Sequence, residues 1–130
     1  MVSTKQTYIA VVDDDEKVCQ SIGRLLRAAG LQPITYPSAE AFLADKKHPQ
    51  FDCLVLDVQL DGMSGIELAQ RLKADGGAAP FIFITAFPDE SVRRRALKAG
   101  AICFLAKPFT GPALIACLET ALNGQRDGRA

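Results

Sequence analysis

Cys53-Leu54-Val55-Leu56-Asp57 is the stretch on which the reading of this chain turns. Four apolar residues follow one another with no polar alternation, so neither face of the segment is built to meet water. That pattern belongs to a strand inside a parallel sheet with helices on both sides. The run then stops at a carboxylate. Three further runs share the form: Ile9-Ala10-Val11-Val12 ends in Asp13-Asp14, Phe81-Ile82-Phe83-Ile84 in Thr85, and Ala101-Ile102-Cys103-Phe104-Leu105-Ala106 in Lys107. Ligands of open α/β sheets bind just beyond the carboxyl ends of the strands. Three carboxylates, a hydroxyl and an ammonium are therefore expected to converge on one crevice, a cation site beside an oxyanion site.

Helical patterns fill the intervals. Val18, Ile22, Leu25, Leu26 and Ala29 mark one face of a helix that stops at Gly30, a residue suited to a helix C-terminus. Asp15 and Glu16 read as acids at the start of that helix, favoured by its macrodipole. Leu31 to Tyr36 predicts a second strand, and Pro33 within it cannot donate to a ladder, which places it at a sheet edge. Ser38 is suited to cap a short helix carrying Ala41, Phe42 and Leu43. After the turn-rich Asp61-Gly62-Met63-Ser64-Gly65, Leu68, Ala69 and Leu72 face inward on a third helix. Pro88 leads into a helix from about Asp89 to Ala99, and Pro108 into a last one with Leu114, Cys117, Leu118, Ala121 and Leu122 at helical spacing. Five strands alternating with five helices through right-handed crossovers predict the α/β class: a doubly wound five-stranded parallel sheet of order 2-1-3-4-5, flavodoxin-like, with helices on both faces. Its switch point falls between the first and third strands, which are the two that end in aspartates. Residues 1–123 are expected to form the domain, and 124–130 a polar tail or the start of a linker.

The chain has 130 residues, and its 15 basic and 15 acidic side chains cancel, so no overall field draws it to nucleic acid or anionic lipid. No apolar stretch approaches the roughly 18 residues of a membrane span, and the start lacks the layout of a signal peptide. A cytoplasmic protein with no membrane partner is expected. Cys19, Cys53, Cys103 and Cys117 form no C-x-x-C pair and read as four small, reduced residues in or near the core. His48, in a Lys-Lys-His-Pro loop, reads as exposed, and Arg93-Arg94-Arg95 as a solvated helix face.

The charges carry the chemistry. Asp13, Asp14 and Asp57 would place three negative charges within a few ångströms, where like charges disfavour joint ionisation. A divalent cation relieves that, and an all-oxygen site suits Mg²⁺ or Mn²⁺. Lys107 and Thr85 are fit to hold phosphoryl oxygens. Asp57, alone at the end of its strand while Asp13 and Asp14 come as a pair, is the candidate nucleophile for an acyl phosphate.

Val11-Val12-Asp13-Asp14, Leu54-Val55-Leu56-Asp57, Met63-Ser64-Gly65, Ile84-Thr85-Ala86 and Lys107-Pro108-Phe109 together resemble the receiver domain of bacterial two-component response regulators, over about Tyr8 to Asn123. The resemblance implies transfer of a phosphoryl group from a sensor histidine kinase, or a phosphotransfer protein, to Asp57. It implies Asp14 as a direct Mg²⁺ ligand, Asp13 acting through water, and the Gln59 backbone carbonyl completing the set with Asp57. Thr85 and Lys107 would bind the phosphoryl oxygens, Phe104 would be a switch residue that moves with Thr85, and the bond before Pro108 would be cis. It further implies a readout on the fourth helix, fifth strand and fifth helix, with Arg94, Arg95, Lys98 and Ile115 as exposed candidates there. The favoured output is a phosphorylation-dependent homodimer formed through the fourth helix and fifth strand. The Ser38-Ala39-Glu40-Ala41-Phe42-Leu43 and Lys-Pro-Phe segments are similar to receivers joined to LuxR-type helix-turn-helix domains, in which case DNA is met only through an output domain outside these residues.

Two departures stand out. Position 61, commonly proline in receivers, is Asp61, so the loop after Asp57 is expected to be looser. Phe87, two residues beyond Thr85, is expected with Gln59 to control access of water to the pocket. A stand-alone phosphorelay adaptor is an alternative reading. A small aspartyl-phosphate phosphatase is another, weakened because Asp13-x-Asp15 is followed by Lys17 rather than threonine. Dinucleotide binding is excluded, since no G-x-G-x-x-G follows the first strand.

Overall fold

The computed structural model describes residues 6–77 and 79–127. In chain order these form β1 (Tyr8–Val12), α1 (Glu16–Ala28), β2 (Gln32–Tyr36), α2 (Ala39–Ala44), β3 (Cys53–Asp57), α3 (Gly65–Ala74), β4 (Phe81–Thr85), α4 (Glu90–Lys98), β5 (Cys103–Ala106) and α5 (Gly111–Asp127). All pairings are parallel and the order is β2-β1-β3-β4-β5, as expected.

The apolar runs explain the layers. Side chains alternate across a strand, so Ala10, Val12, Leu54, Leu56, Phe81 and Phe83 face one side, where they pack with Phe42, Ile66, Leu68 and Ala96 of α2, α3 and α4. Ile9, Val11, Cys53, Val55, Ile82 and Ile84 face the other side, against Ile22 and Leu26 of α1 and Leu114 and Leu118 of α5. Every residue of β3 and β4 is buried. Each large aliphatic or aromatic group so buried contributes about 1.5–3 kcal/mol, which is why an unbroken apolar run is stable only in the sheet centre. Pro33 sits in the edge strand β2, in register with Ile9. At the other edge β5 is shorter than its apolar run, and Ile102, just before it, is exposed.

Register sets the site. Val12 is level with Leu56, Asp57 with Ile84, and Thr85 with Ala106. The residues that end the strands therefore lie along one rim of the sheet.

Helix starts follow local chemistry. Asp15 caps α1, accepting from Lys17 N at 2.9 Å, and Ser38 caps α2, accepting from Ala41 N at 3.0 Å. Ser64, within the stretch read only as a turn, forms a reciprocal capping box with Glu67 at the start of α3.

Three expectations are corrected. Cys103 and Cys117 are paired as a disulfide with Cα atoms 6.0 Å apart, while Cys19 and Cys53 are free and buried. Strand alternation aims Cys103 at the α5 side of the sheet, where Cys117 lies on the inward stripe, and sequence spacing carries no sign of that. His48 is half-buried instead of exposed, stacked on Phe42 and Phe51 with ring centroids 5.5 and 4.8 Å apart. Ile115 is half-buried against the α1–α5 core rather than displayed on the surface. In addition, α5 continues through Asp127, into the stretch read as a tail, and residues 128–130 lie outside the described residues.

Candidate functional site

Among the described residues, the buried polar or charged side chains are Asp13, Asp57 and Thr85, at 1 %, 3 % and 0 % exposure. Burying such groups is costly unless partners compensate, so their convergence on one rim needs a reason. Lys107 supplies part of it: its Nζ lies 2.8 Å from Asp13 Oδ2 and 3.0 Å from Asp57 Oδ2. The remaining oxygens accept from the backbone, Asp13 Oδ1 from Asp15 N at 2.8 Å and Asp57 Oδ1 from Gln59 N at 2.9 Å. The Lys107–Pro108 bond that follows is cis.

One ammonium does not balance this cluster. Burial raises the pKa of Asp57, the hydrogen bond from Lys107 lowers it, and the charge of Asp13 raises it again; the outcome is a carboxyl pushed up to about 6. Burial alone would lower the pKa of Lys107, but its pairing with the carboxylates of Asp13 and Asp57 prevails and raises it. Cys19, whose Sγ donates to Asp13 O at 3.2 Å, is pushed up to about 11 by burial and by the charge of Asp13, and so stays a thiol.

The excess negative charge is open to a cation. Carboxylate oxygens of buried Asp13, exposed Asp14 and buried Asp57 meet here, all within 4.8 Å of one another. Asp13 Oδ2 is buried and accepts no well-directed hydrogen bond, although Lys107 stands beside it. A hard, oxygen-seeking ion fits such a donor set, because it takes up both the spare lone pairs and the unbalanced charge.

The loop from β3 to α3 is tied down, contrary to the expectation drawn from Asp61. Met63 N donates to Glu40 Oε2 at 3.0 Å, Gly65 N donates to Val58 O at 3.2 Å, and Gly62 takes φ +77°, a conformation natural to glycine. Gly65 matters most. A Cβ there would collide with the Asp57 carbonyl oxygen, so α3 can start against the Asp57 backbone only without a side chain. Asp61 itself is exposed and takes no part in these ties.

Of the other predicted site residues, Thr85 ends β4 on the same rim, but its hydroxyl donates to Gln59 Oε1 and accepts from Phe87 N at 3.0 Å rather than bonding Asp57. The Gln59 side chain is thus part of the site, a contact that sequence reasoning missed because it joins residues 26 apart. Phe87 is 65 % exposed. Phe104 is half-buried and packs against the core on the α2–α3–α4 side.

Known proteins match this arrangement along nearly its whole length. Residues 9–119 match the response regulator receiver domain family. The chain belongs to that family. Among its relatives, the response regulator protein TmoT of Ectopseudomonas mendocina is 37% identical over 122 residues, covering 94% of this chain and 56% of TmoT. The transcriptional regulatory protein FixJ of Bradyrhizobium diazoefficiens is 37% identical over 120 residues, covering 92% of this chain and 58% of FixJ. The receiver therefore spans little more than half the length of the curated relatives it matches. Among solved structures, a CheY-like receiver domain protein from Methanospirillum hungatei superposes with a TM-score of 0.86 at 25% identity, covering 95% of this chain and 99% of that one. Among the described residues of this receiver, no helix is long and apolar enough to cross a membrane.

Proposed function

We propose that this receiver takes a phosphoryl group from a phosphohistidine of a sensor histidine kinase, or of a phosphotransfer protein, onto Asp57. The observation that carries the reading is the junction of Lys107 with both Asp13 and Asp57 at 2.8 and 3.0 Å, beside a third carboxylate, at the rim where β1 and β3 part. An Asp57 oxygen attacks phosphorus in line, an O–P bond forms, the P–N bond breaks, and the electron pair leaves on the imidazole. Gln59 N fixes the carboxylate through Oδ1. Lys107 loses a carboxylate partner as Asp57 is esterified, and its ammonium is then free to pair with the phosphoryl oxygens. Thr85 donates to those oxygens once its own hydroxyl is released.

Mg²⁺, with Mn²⁺ as substitute, is the proposed cofactor, held by Asp14 directly, Asp13 through water, Asp57 and the Gln59 carbonyl. It supplies charge neutralisation for the carboxylates and the transferred group. The protein itself is a signalling switch whose catalysis is confined to its own phosphorylation and dephosphorylation, with Phe87 and Gln59 governing access of water to the acyl phosphate.

The phosphoryl group biases a two-state equilibrium toward an arrangement in which Thr85 and Phe104 move together and α4, β5 and α5 change their surface. Leu97 and Ile102 are 48 % and 42 % exposed there, which supports a phosphorylation-dependent homodimer through α4 and β5. Residues 1–123 are taken as the receiver and the stretch from 124, into which α5 runs as far as Asp127, as the start of a linker; the greater length of TmoT and FixJ supports transcription as the output, through a further domain in the cytoplasm. Intact mass after incubation with acetyl phosphate and Mg²⁺ is the test. The expected result is a gain of one phosphoryl group in the wild type and none in Asp57→Asn; equal labelling of both would refute the assignment.

A further inference from the structure

Gln59 grips both halves of the site. Its backbone N donates to Asp57 Oδ1 at 2.9 Å, and its side-chain Oε1 accepts the proton of the Thr85 hydroxyl. Thr85 is fully buried, and its oxygen also accepts from Phe87 N at 3.0 Å. A hydroxyl has one proton to give. While that proton is directed at Gln59, Thr85 turns only lone pairs toward any other group, and lone pairs repel the oxygens of a phosphoryl group.

Resting on the reading of Asp57 as phosphoacceptor, we infer that the Gln59 carboxamide is a latch. It is a positioning residue that holds Thr85 in the resting arrangement until a phosphoryl oxygen takes over as acceptor of the same proton. No bond beyond the O–P bond is made or broken; the hydroxyl keeps its proton and changes partner. The exchange has a direction because hydrogen bonds to an ionised acceptor are roughly twice as strong as those between neutral groups. A neutral carboxamide therefore wins before phosphorylation and loses after it. The strength of the latch sets how far the receiver leans to its resting state, and removing it shifts that balance without altering any group that contacts phosphorus.

Gln59→Met tests this, because methionine keeps the length of the side chain, lacks the amide oxygen, and leaves the backbone N–H and carbonyl in place. Beryllofluoride with Mg²⁺ serves as a non-covalent phosphoryl probe, titrated by calorimetry into the wild type, Gln59→Met, Thr85→Val and the double variant. The loss of one competing hydrogen bond is expected to tighten probe binding by about 2- to 10-fold in Gln59→Met. In the Thr85→Val background the same substitution should change nothing. A second readout needs neither metal nor probe: three-bond couplings at Thr85 should report one side-chain rotamer in the wild type and a mixture in Gln59→Met. Gln59→Ala replaces Gln59→Met should the latter not fold.

Binding that is unchanged or weaker in Gln59→Met overturns the latch. So does tightening that persists without the Thr85 hydroxyl, since that would mark Gln59 as a steric gate. Normal probe binding with an unmoved Thr85 rotamer rejects the latch and leaves the phosphoacceptor reading standing. Absence of probe binding in every protein, with a Thr85 rotamer that does respond, rejects the phosphoacceptor reading and with it the exchange of acceptors.

Discussion

Asp57→Asn is expected to stabilise the metal-free receiver at neutral pH, although it removes a partner of Lys107. The carboxyl of Asp57 is displaced from 3.8 to about 6, chiefly by burial, with the charge of Asp13 adding to it. A group whose folded-state pKa lies above its unfolded value holds an extra proton in the folded molecule between those two values, so stability falls as pH rises through that window, from about 4 to about 6. Each unit is worth 1.36 kcal/mol, which bounds the strain of ionised Asp57 at pH 7 at about 3 kcal/mol. Asparagine keeps the shape and the acceptor for Gln59 N without the charge. A gain of about 1–3 kcal/mol is expected in the presence of a chelator, or a rise in Tm of roughly 3–10 °C for a domain of this size. Thermal and urea denaturation at pH 7.5 and pH 4 with EDTA measure it, and the advantage of the variant should shrink toward zero at pH 4. Adding Mg²⁺ should narrow the gap at pH 7.5, because a cation bound only by the folded state stabilises the wild type by RT ln(1 + [L]/Kd), about 2.7 kcal/mol at a hundredfold excess over Kd. A variant less stable than the wild type at pH 7.5 with EDTA, or an advantage independent of pH, would refute the electrostatic account of the site.

Two further outcomes follow from packing and connectivity. Gly65→Ala forces a methyl group against the Asp57 carbonyl and should cost about 1–3 kcal/mol of stability, read by denaturant titration, while slowing phosphorylation by acetyl phosphate. Thiol titration of the unfolded, unreduced protein should find two reactive cysteines, Cys19 and Cys53, and four after reduction; four before reduction would contradict the Cys103–Cys117 pairing.

Much of the fold was legible because the sheet is buried on both sides. Unbroken runs such as Phe81-Ile82-Phe83-Ile84 can be stable only between two helix layers, and Pro33 can be tolerated only at an edge, so class and strand order follow from local composition. The polar residues that end those runs were legible for the same reason: parallel strands in level register must present their ends on one rim, which brings Asp13, Asp57 and Lys107 into contact. The loop after Asp57 was not. Its order comes from Glu40, a residue of α2 distant in sequence, and from a capping box whose effect depends on where α3 meets the Asp57 backbone.

The sequence by itself determined which side chains are apolar enough to build two core layers, and hence where the charged ends of the strands must emerge. Tertiary structure alone decided which groups pair across those ends: Gln59 with Thr85, Cys103 with Cys117, and His48 with the rings of Phe42 and Phe51. The reason is one of range. Burial and backbone periodicity act on each segment separately and leave their mark in its composition, whereas a hydrogen bond, a disulfide or a ring stack is settled by ångström-scale distances between segments that only the packed molecule specifies.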